Sequence, residues 1–248
     1  MSETLMRAAV GVALLVAVAT AVLWVAHVPR RWAPAWAVLR GAVQLGAISL
    51  VLRGVIGEPR WVALAVGVMF TVAVTTVARR LGFSWSRLFL VAAAMAAGVV
   101  VALGTVFATG AVEPSARYAL ALGGIVIGGS MTTATLAGRR LIATLQARWP
   151  EVEGWLALGA TRRQATAAIA REAAAEALVP SIDQTRTTGL VTLPGAFVGA
   201  IFGGASPIDA GRFQIVVLAA ILAAGSVTVV LLLRALAPVS TRPQALTP

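Results

Sequence analysis

Cysteine and lysine are both absent from the 248-residue sequence, and His27 is its single histidine. Without cysteine the chain has no disulfide, no thiolate metal site and no cysteine nucleophile. One histidine cannot build a multi-histidine zinc site within one chain. A Gly-x4-Gly-Lys-[Ser/Thr] phosphate loop needs its lysine, so the chain cannot hydrolyse ATP by that route.

Charged residues are also scarce, at 12%, whereas hydrophobic residues make up 59% and the mean hydropathy is +0.91. Soluble domains have about 25% charged residues. This composition excludes an ordinary globular enzyme, a disordered tail and a fibrous repeat. At roughly 20 apolar residues a span, the length holds about six to eight helices. We therefore expect an all-α integral membrane protein with a single transmembrane domain over residues 1–248.

The basic residues are all arginine, and the formal net charge is +11. On a soluble protein such an excess would suggest nucleic-acid binding. Here the arginines lie between apolar runs, and the bias of arginine toward cytoplasmic loops explains them. We expect the lipid bilayer as a partner and no nucleic acid.

Seven apolar runs predict about seven transmembrane helices. They cover approximately Ala8–Val28, Trp36–Ile56, Trp61–Ala78, Leu88–Val112, Tyr118–Gly138, Thr187–Phe202 and Phe213–Leu236. With the N-terminus outside, most arginines fall on the cytoplasmic side, which is the positive-inside pattern. Those left outside are Arg7, Arg53, Arg60, Arg117 and Arg212. The prediction is an outside N-terminus, a cytoplasmic C-terminus and one sizeable cytoplasmic loop, about 139–186.

This loop contains two helix patterns. Pro150 and Gly159 bracket a short amphipathic helix, about 151–158, because proline favours helix starts and glycine follows helix ends. Thr161 and Gln164 form a capping box for a second helix, about 162–179, that Pro180 is expected to end. The short helix is either an elbow lying on lipid headgroups or a docking helix for a cytoplasmic partner.

Two segments resemble known transporters. The run EGWLALGAT, from Glu153 to Thr161, resembles the cytoplasmic coupling segment of ABC-transporter permeases. The run DQTRTTGLVTLPGAF, from Asp183 to Phe197, followed by GGASP, resembles the signature of the FetB-like iron-export permease family, which includes plant aluminium-tolerance permeases. At Gly129 the chain has glycine where that family usually has asparagine.

The resemblance implies a permease subunit that works as a homodimer in the inner (cytoplasmic) membrane and exports iron or a related metal species. A separately encoded ABC ATPase would hold ATP and Mg²⁺, so this chain would bind no cofactor and would not itself be an enzyme. The residues expected to contact that ATPase are Glu151, Glu153, Gly154, Trp155, Leu156, Leu158, Gly159 and Ala160.

Polar residues near the spans are candidates for the transport pathway. They are Arg40, Gln44, Ser130, Met131, Thr132, Thr133, Asp183, Gln184, Thr185, Arg186, Thr192, Pro194 and Gly195. An intramembrane arginine normally faces a partner or a water-filled cavity, so Arg40 would meet Asp183 or an anionic substrate. Alternatively, Arg40 extends to the headgroups, and the hydroxyls of the fifth span only bond neighbouring helices.

Small residues at helical spacing indicate close helix packing. Gly124 and Gly128 form one such pair, and Gly195, Gly199 and Gly203 form a longer series. They pack either the fifth span against the sixth or one copy of the chain against another. Pro194 and Gly195 should break or kink the sixth span.

The sequence assigns no metal ligands. Hard trivalent ions prefer oxygen ligands, which fits a chain without cysteine, and a chelated or anionic complex is easier to accommodate than a bare ion. The alternatives are an ABC permease for a small organic anion, a mechanotransmission role and a stand-alone metal channel or carrier. Gradient coupling is disfavoured because all nine acidic residues are predicted at the ends of the spans or in the loops between them. An intramembrane enzyme is disfavoured because Ser130 and Ser206 lack a nearby base.

Overall fold

The computed structural model describes residues 3–55 and 58–244, and within these residues it is all helical apart from one isolated bridge. The helices are α1 (Glu3–Val25), α2 (Ala33–Val55), α3 (Pro59–Arg80), α4 (Trp85–Ala108), α5 (Ala116–Ala147), α6 (Trp149–Ala157), α7 (Arg162–Thr187), α8 (Gly195–Phe202) and α9 (Pro207–Leu236).

Five of the described helices, α1, α3, α4, α5 and α9, are long and apolar enough to cross a membrane. A span needs about 20 residues at a rise of 1.5 Å per residue. The all-α membrane prediction is therefore confirmed, and the protein is a multi-pass membrane protein. The first, third, fourth, fifth and seventh predicted spans each coincide with one of these helices.

The chain divides into two compact units, Met1–Gly57 and Glu58–Pro248. In the first unit α1 and α2 pack as a pair joined by a short turn, in which His27 and Arg30 have positive φ angles of 52° and 62°. None of the residues of α1 is buried, as expected for an apolar helix that contacts lipid.

The second unit is built around α3, α4, α5 and α9. Their facing sides form an apolar core that contains Leu81, Met95, Leu122 and Leu232, all fully buried. Gly98 of α4 allows the closest helix approach, since a Cβ added there would lie 2.4 Å from the Ala224 carbonyl oxygen of α9.

Helices α5 and α9 run parallel. Their N-terminal ends meet through the Tyr118 and Phe213 rings, whose centroids are 5.4 Å apart. Their last turns share a second apolar cluster with α6 and α7. We call this end of the bundle the α6 end. Because two parallel helices need a return segment between them, the chain must travel back from the α6 end before α9 begins.

Helix α7 makes most of this return, which corrects two predictions. Its C-terminal end was predicted at Pro180, but the helix continues through that proline to Thr187. The sixth span was predicted over Thr187–Phe202, but the chain turns at residues 188–194 and α8 has only eight residues, about 12 Å. The structure does not confirm the seven-span count.

Two further features of this region follow from the structure. Helix α5 continues past Gly138, where the fifth span was predicted to end, to Ala147, and at about 48 Å it is longer than the apolar thickness of a bilayer. Glu172 and Glu176 lie in the helix predicted within the loop, and Asp183 lies in the part of α7 that follows Pro180. Packing against α5 and α9 stabilises α7 where its own apolar content is low.

Candidate functional site

Helix α6 is the predicted short helix, although it begins two residues and ends one residue earlier than predicted. Pro150 lies in its first turn. Its last turn closes with hydrogen bonds from the Gly159 amide to the Leu156 carbonyl, 3.0 Å, and from the Ala160 amide to the Trp155 carbonyl, 3.0 Å. This Schellman arrangement needs a left-handed residue, and Gly159 has a φ of +88°.

One side of α6 is anchored to the bundle. Val152 is fully buried and Trp149 nearly so, both in the cluster shared by α5, α7 and α9. The Trp149 indole Nε1 donates a hydrogen bond of 2.7 Å to Glu153 Oε1. Glu153, predicted to contact an ATPase, therefore also satisfies the indole donor of its own helix.

Ion pairs join α5, α6 and α7 at this point. Arg148 donates to Glu151 Oε2 from Nε and to Glu172 Oε2 from Nη1, both at 2.8 Å. The hydrogen bond to Glu151, followed by the Glu151 and Glu172 charges, raises the pKa of Arg148. Arg140 of α5 pairs with Glu176 one turn along α7.

Sequence reasoning missed this ion-pair network. The Arg148–Glu151 spacing and the four-residue spacing of Glu172 and Glu176 were readable signals. The pairing across helices was not readable, because it depends on how α7 folds back along α5.

The other side of α6 is apolar and open. Trp155 is 52% exposed and Leu158 is 82% exposed. A Cβ added to Gly154 would contact nothing within 4 Å. We call the surface of Trp155 and Leu158 the coupling face. It lies at the α6 end, where Arg79 and Arg80 of α3 and Arg139 and Arg140 of α5 are also exposed.

Helix α7 begins with the predicted capping box, which is confirmed. The Gln164 amide donates to Thr161 Oγ1 at 3.3 Å, and the Thr161 amide donates to Gln164 Oε1 at 2.9 Å. Only four residues, 158–161, separate α6 from α7, so α6 and α7 are joined by a short and defined connection.

Four of the residues predicted near the sixth span, Asp183, Gln184, Thr185 and Arg186, lie at the far end of α7. A Cβ added to Gly225 of α9 would lie 3.6 Å from Leu178 Cδ2 and 3.5 Å from Thr133 Oγ1 of α5. Asp183 is five residues beyond Leu178, about 8 Å, which brings it near the middle of α9. Asp183 pairs loosely with Arg186, at 3.7 Å, and both side chains are more than half exposed.

The turn at residues 188–194 satisfies much of its own backbone. The Thr187 carbonyl accepts from the Val191 amide at 2.9 Å, and the Gly189 amide donates to the Thr192 carbonyl at 2.8 Å. Gly189 has a φ of +87°, and Pro194 immediately precedes α8. Internal hydrogen bonding is what irregular backbone requires at membrane depth.

The remaining pathway candidates are divided between buried and open positions. Ser130 and Thr133 are buried inside the second unit, and Met131 is partly buried. Thr132 is exposed and donates to the Gly128 carbonyl at 3.1 Å. The α7 hydroxyl of Thr185 also bonds its own helix, at the Ser181 carbonyl, 2.8 Å.

Arg40 and Gln44 belong to the first unit, on α2. Both side chains are exposed there, as is that of Trp36 one turn earlier. Gln184 is exposed on α7. In residues 3–55 and 58–244 no group of three or more His, Cys, Asp or Glu side chains is placed to hold a metal ion.

The candidate packing glycines also differ in their surroundings. A Cβ on Gly124 would lie 2.8 Å from Met69 Cε of α3, whereas Gly128, Gly195 and Gly199 have open space around them. A Cβ on Gly203 would meet only carbonyls of its own helix, at 3.3 Å. At Gly129 it would lie 3.1 Å from Ile221 Cγ2, so a larger residue there would press on α9.

Comparison with known proteins gives one family. The family model described as Uncharacterised protein family (UPF0014) matches residues 6–238. The chain is similar to UPF0014 membrane protein STAR2 of Oryza sativa subsp. japonica, 35% identical over 198 residues, which cover 79% of this chain and 70% of that protein.

Two further relatives carry functional names. Protein ALUMINUM SENSITIVE 3 of Arabidopsis thaliana is 31% identical over 78% of this chain and 71% of its own length. The Probable iron export permease protein FetB of Escherichia coli (strain K12) is 31% identical over 56% of this chain and 53% of its own length. No solved structure matches this chain. The resemblance seen in the sequence is confirmed, and the chain belongs to the UPF0014 family of membrane proteins.

Proposed function

We propose that this protein is the membrane subunit of an ABC transporter. Two copies would form the permease in the inner membrane, with the α6 end in the cytoplasm. A separately encoded ATPase would bind there, hold ATP and Mg²⁺, and drive the export of iron or a related metal species. This chain would bind no cofactor and would catalyse no reaction itself.

The observation that carries this proposal is the two-sided environment of α6. One side is anchored through Val152 and Arg148, while Trp155 and Leu158 project outward. An exposed tryptophan and leucine on a short helix suit insertion into a hydrophobic groove of a partner.

The connection between α6 and α7 suggests how ATP hydrolysis would reach the membrane. Arg148 links Glu151 of α6 to Glu172 of α7. A displacement of α6 by the ATPase would therefore be passed to α7 as one body. Along α7 it would travel past Pro180 to Asp183 and Arg186, where a proline removes one helical hydrogen bond and eases bending.

The polar far end of α7 supports a second copy. Asp183 and Arg186 lie near the middle of α9 in height, and both are exposed in the single chain. Charged side chains at membrane depth normally face protein or a water-filled cavity. A second copy that covers this side would enclose such a cavity between the two α7 helices. The open space around Gly195 and Gly199 leaves room for close approach.

The proposal of a metal substrate is based on the names of the relatives. The Escherichia coli relative is named a probable iron export permease, and the Arabidopsis relative is named for aluminium sensitivity. Fe(III) and Al(III) are both hard ions that prefer oxygen ligands. The α7 end offers hydroxyl, carboxylate and carbonyl oxygens at Asp183, Thr188 and Thr192.

The test is co-purification of the ATPase with full-length protein from its native membrane in mild detergent. Trp155→Glu places a charge on the coupling face and should abolish recovery of the ATPase. Trp85→Glu is the matched control, because Trp85 is 69% exposed at the same end of the bundle but on α4. Size-exclusion chromatography checks that both variants remain folded.

Three results bear on the proposal. Loss of the ATPase with Trp155→Glu alone supports the coupling face. If the ATPase is lost equally with Trp85→Glu, any added charge at this end has the same effect, and the experiment no longer supports a role of α6 in binding the ATPase. If no protein with a phosphate loop accompanies the wild type, the ABC proposal fails, and metal flux without ATP should then be measured in vesicles.

A further inference from the structure

A basic groove runs between α7 and α9 on the outside of the second unit. Its volume is about 710 Å³. Arg163 and Arg171 border it from α7, and Arg234 borders it from α9. Ala174, Val230 and Leu233 supply apolar wall. The groove is on the opposite side of α7 from the ion pairs that hold α6.

The three arginines have no acidic neighbours to neutralise them. Among the described residues, none of the three takes part in an ion pair. At 100° per residue, Glu172 and Glu176 lie roughly 160° around α7 from the groove. Those two carboxylates are already engaged by Arg148 and Arg140. The groove therefore carries three positive charges without a counter-ion.

The height of the groove matches the boundary of the bilayer. Leu178 and Gly225 lie side by side, so they give a common level on α7 and α9. Asp183, five residues beyond Leu178, is level with the middle of α9. Arg171 is 12 residues from Asp183, and Arg234 is about 12 residues from the middle of α9, which is roughly 18–19 Å for each. With the middle of α9 at the bilayer centre, both guanidinium groups lie at the headgroup level, since the apolar half-thickness is about 15 Å. Ala174 and Val230 lie on the membrane side of them.

We propose that this groove binds one anionic phospholipid. The phosphate lies between Arg171 and Arg234, where two guanidinium groups can donate to its oxygens. One acyl chain follows the apolar wall at Ala174 and Val230 into the bilayer. Basic pockets between helices at this level are suited to anionic headgroups. The apolar wall below the arginines favours a lipid over free phosphate, which would leave that wall without contact.

If α7 transmits motion, α7 and α9 would move relative to each other, and a bound lipid would bridge these two helices. The lipid site itself does not depend on what is transported or on an ATPase, because it needs only the membrane position of α7 and α9. If the lipid site is disproved, the proposed transport function still stands. If the transport function is disproved, the lipid site still stands.

The experiment measures lipid retention on the purified full-length protein by native mass spectrometry. Dioleoyl phosphatidylglycerol and dioleoyl phosphatidylcholine are added separately in detergent. Arg171→Gln/Arg234→Gln is compared with Arg139→Gln/Arg162→Gln. The control pair loses the same charge at the same end, but neither residue borders the groove.

Wild type should retain one phosphatidylglycerol in preference to phosphatidylcholine. Each arginine near an anionic surface contributes a factor of roughly five in affinity. The groove pair should therefore lower phosphatidylglycerol affinity by roughly 30-fold, and the control pair should change it by less than about threefold. Arg171→Lys/Arg234→Lys should restore most of the binding, which separates charge from folding.

Four results would overturn the proposal. Equal retention of phosphatidylcholine would remove the role of the negative headgroup. An equal loss with the control pair would reduce the effect to overall charge. Displacement of the lipid by millimolar inorganic phosphate would identify a phosphate site rather than a lipid site. Crosslinking of another protein to the cysteine of an Ala170→Cys variant, with no lipid retained, would assign the groove to a protein partner.

Ala174→Leu keeps all three arginines but fills the groove. If this variant is folded and retains less lipid, the proposal is supported.

Discussion

Gly98→Ala tests the closest helix crossing in the second unit. The added Cβ would lie 2.4 Å from the Ala224 carbonyl oxygen and 2.3 Å from Thr228 Oγ1. Ordinary contacts of this kind are about 3.4 Å or longer, so α4 and α9 must separate by about 1 Å at this point. The threonine hydroxyl can rotate, but the carbonyl belongs to the helix backbone and cannot.

The expected loss of stability follows from two opposing effects. Alanine in place of glycine within a helix favours folding by about 1 kcal/mol. Overpacking of a tightly packed core costs about 1–3 kcal/mol, and a clash with backbone belongs at the upper end. We expect a net destabilisation of about 2 kcal/mol, or a decrease in Tm of roughly 4–8 °C for a chain of this size.

The control is Gly104→Ala on the same helix, where an added Cβ meets nothing within 4 Å. It should leave Tm unchanged or raise it. The Tm of both variants is measured by thermal unfolding in detergent, with the fraction of protein that remains monodisperse after heating as the readout. If Gly98→Ala is as stable as Gly104→Ala, the crossing of α4 and α9 is not as close as described, and the packing argument is wrong.

Four other substitutions probe α6 and α7. Thr161→Ala removes the capping box with Gln164 and should lower the free energy of unfolding by about 1 kcal/mol, measured by denaturant titration. Gly159→Ala forces a side chain into a left-handed backbone and should cost about 1–2 kcal/mol. Gly154→Ala, in open space within α6, should by contrast be neutral or stabilising in the same thermal assay. Pro180→Ala restores a helical hydrogen bond and should slow amide hydrogen exchange in the second half of α7; unchanged exchange would show that the proline does not loosen the helix.

The short segment between α5 and α7 shows how much local pattern can predict. Pro150, Gly159 and the capping box at Thr161 each have a local steric or hydrogen-bonding consequence. All three features lie where the sequence indicated, and α6 starts only two residues earlier than expected. The outward direction of Trp155 required the structure, because Val152 and Trp155 belong to one apolar face and only packing decides which of them is covered.

The path of α7 could not be predicted in the same way. Its sequence is rich in alanine and charge, which is the pattern of a solvated helix, and Pro180 suggests an end. Neighbouring helices overrode both signals, because α5 and α9 run parallel and the chain must return between them. Proline is tolerated in such a helix when packing supplies the stability. The prediction therefore ended α7 too early and placed a sixth span where the chain turns.

Composition and hydropathy by themselves determined that this chain is an all-helical membrane protein, because apolar length and scarce charge leave no other fold open. The signature residues determined its family. Only the tertiary structure decided that Arg148 joins α5, α6 and α7, that Asp183 lies level with the middle of α9, and that three arginines share one groove. Each of these depends on the distance between residues far apart in the chain, which local periodicity does not contain.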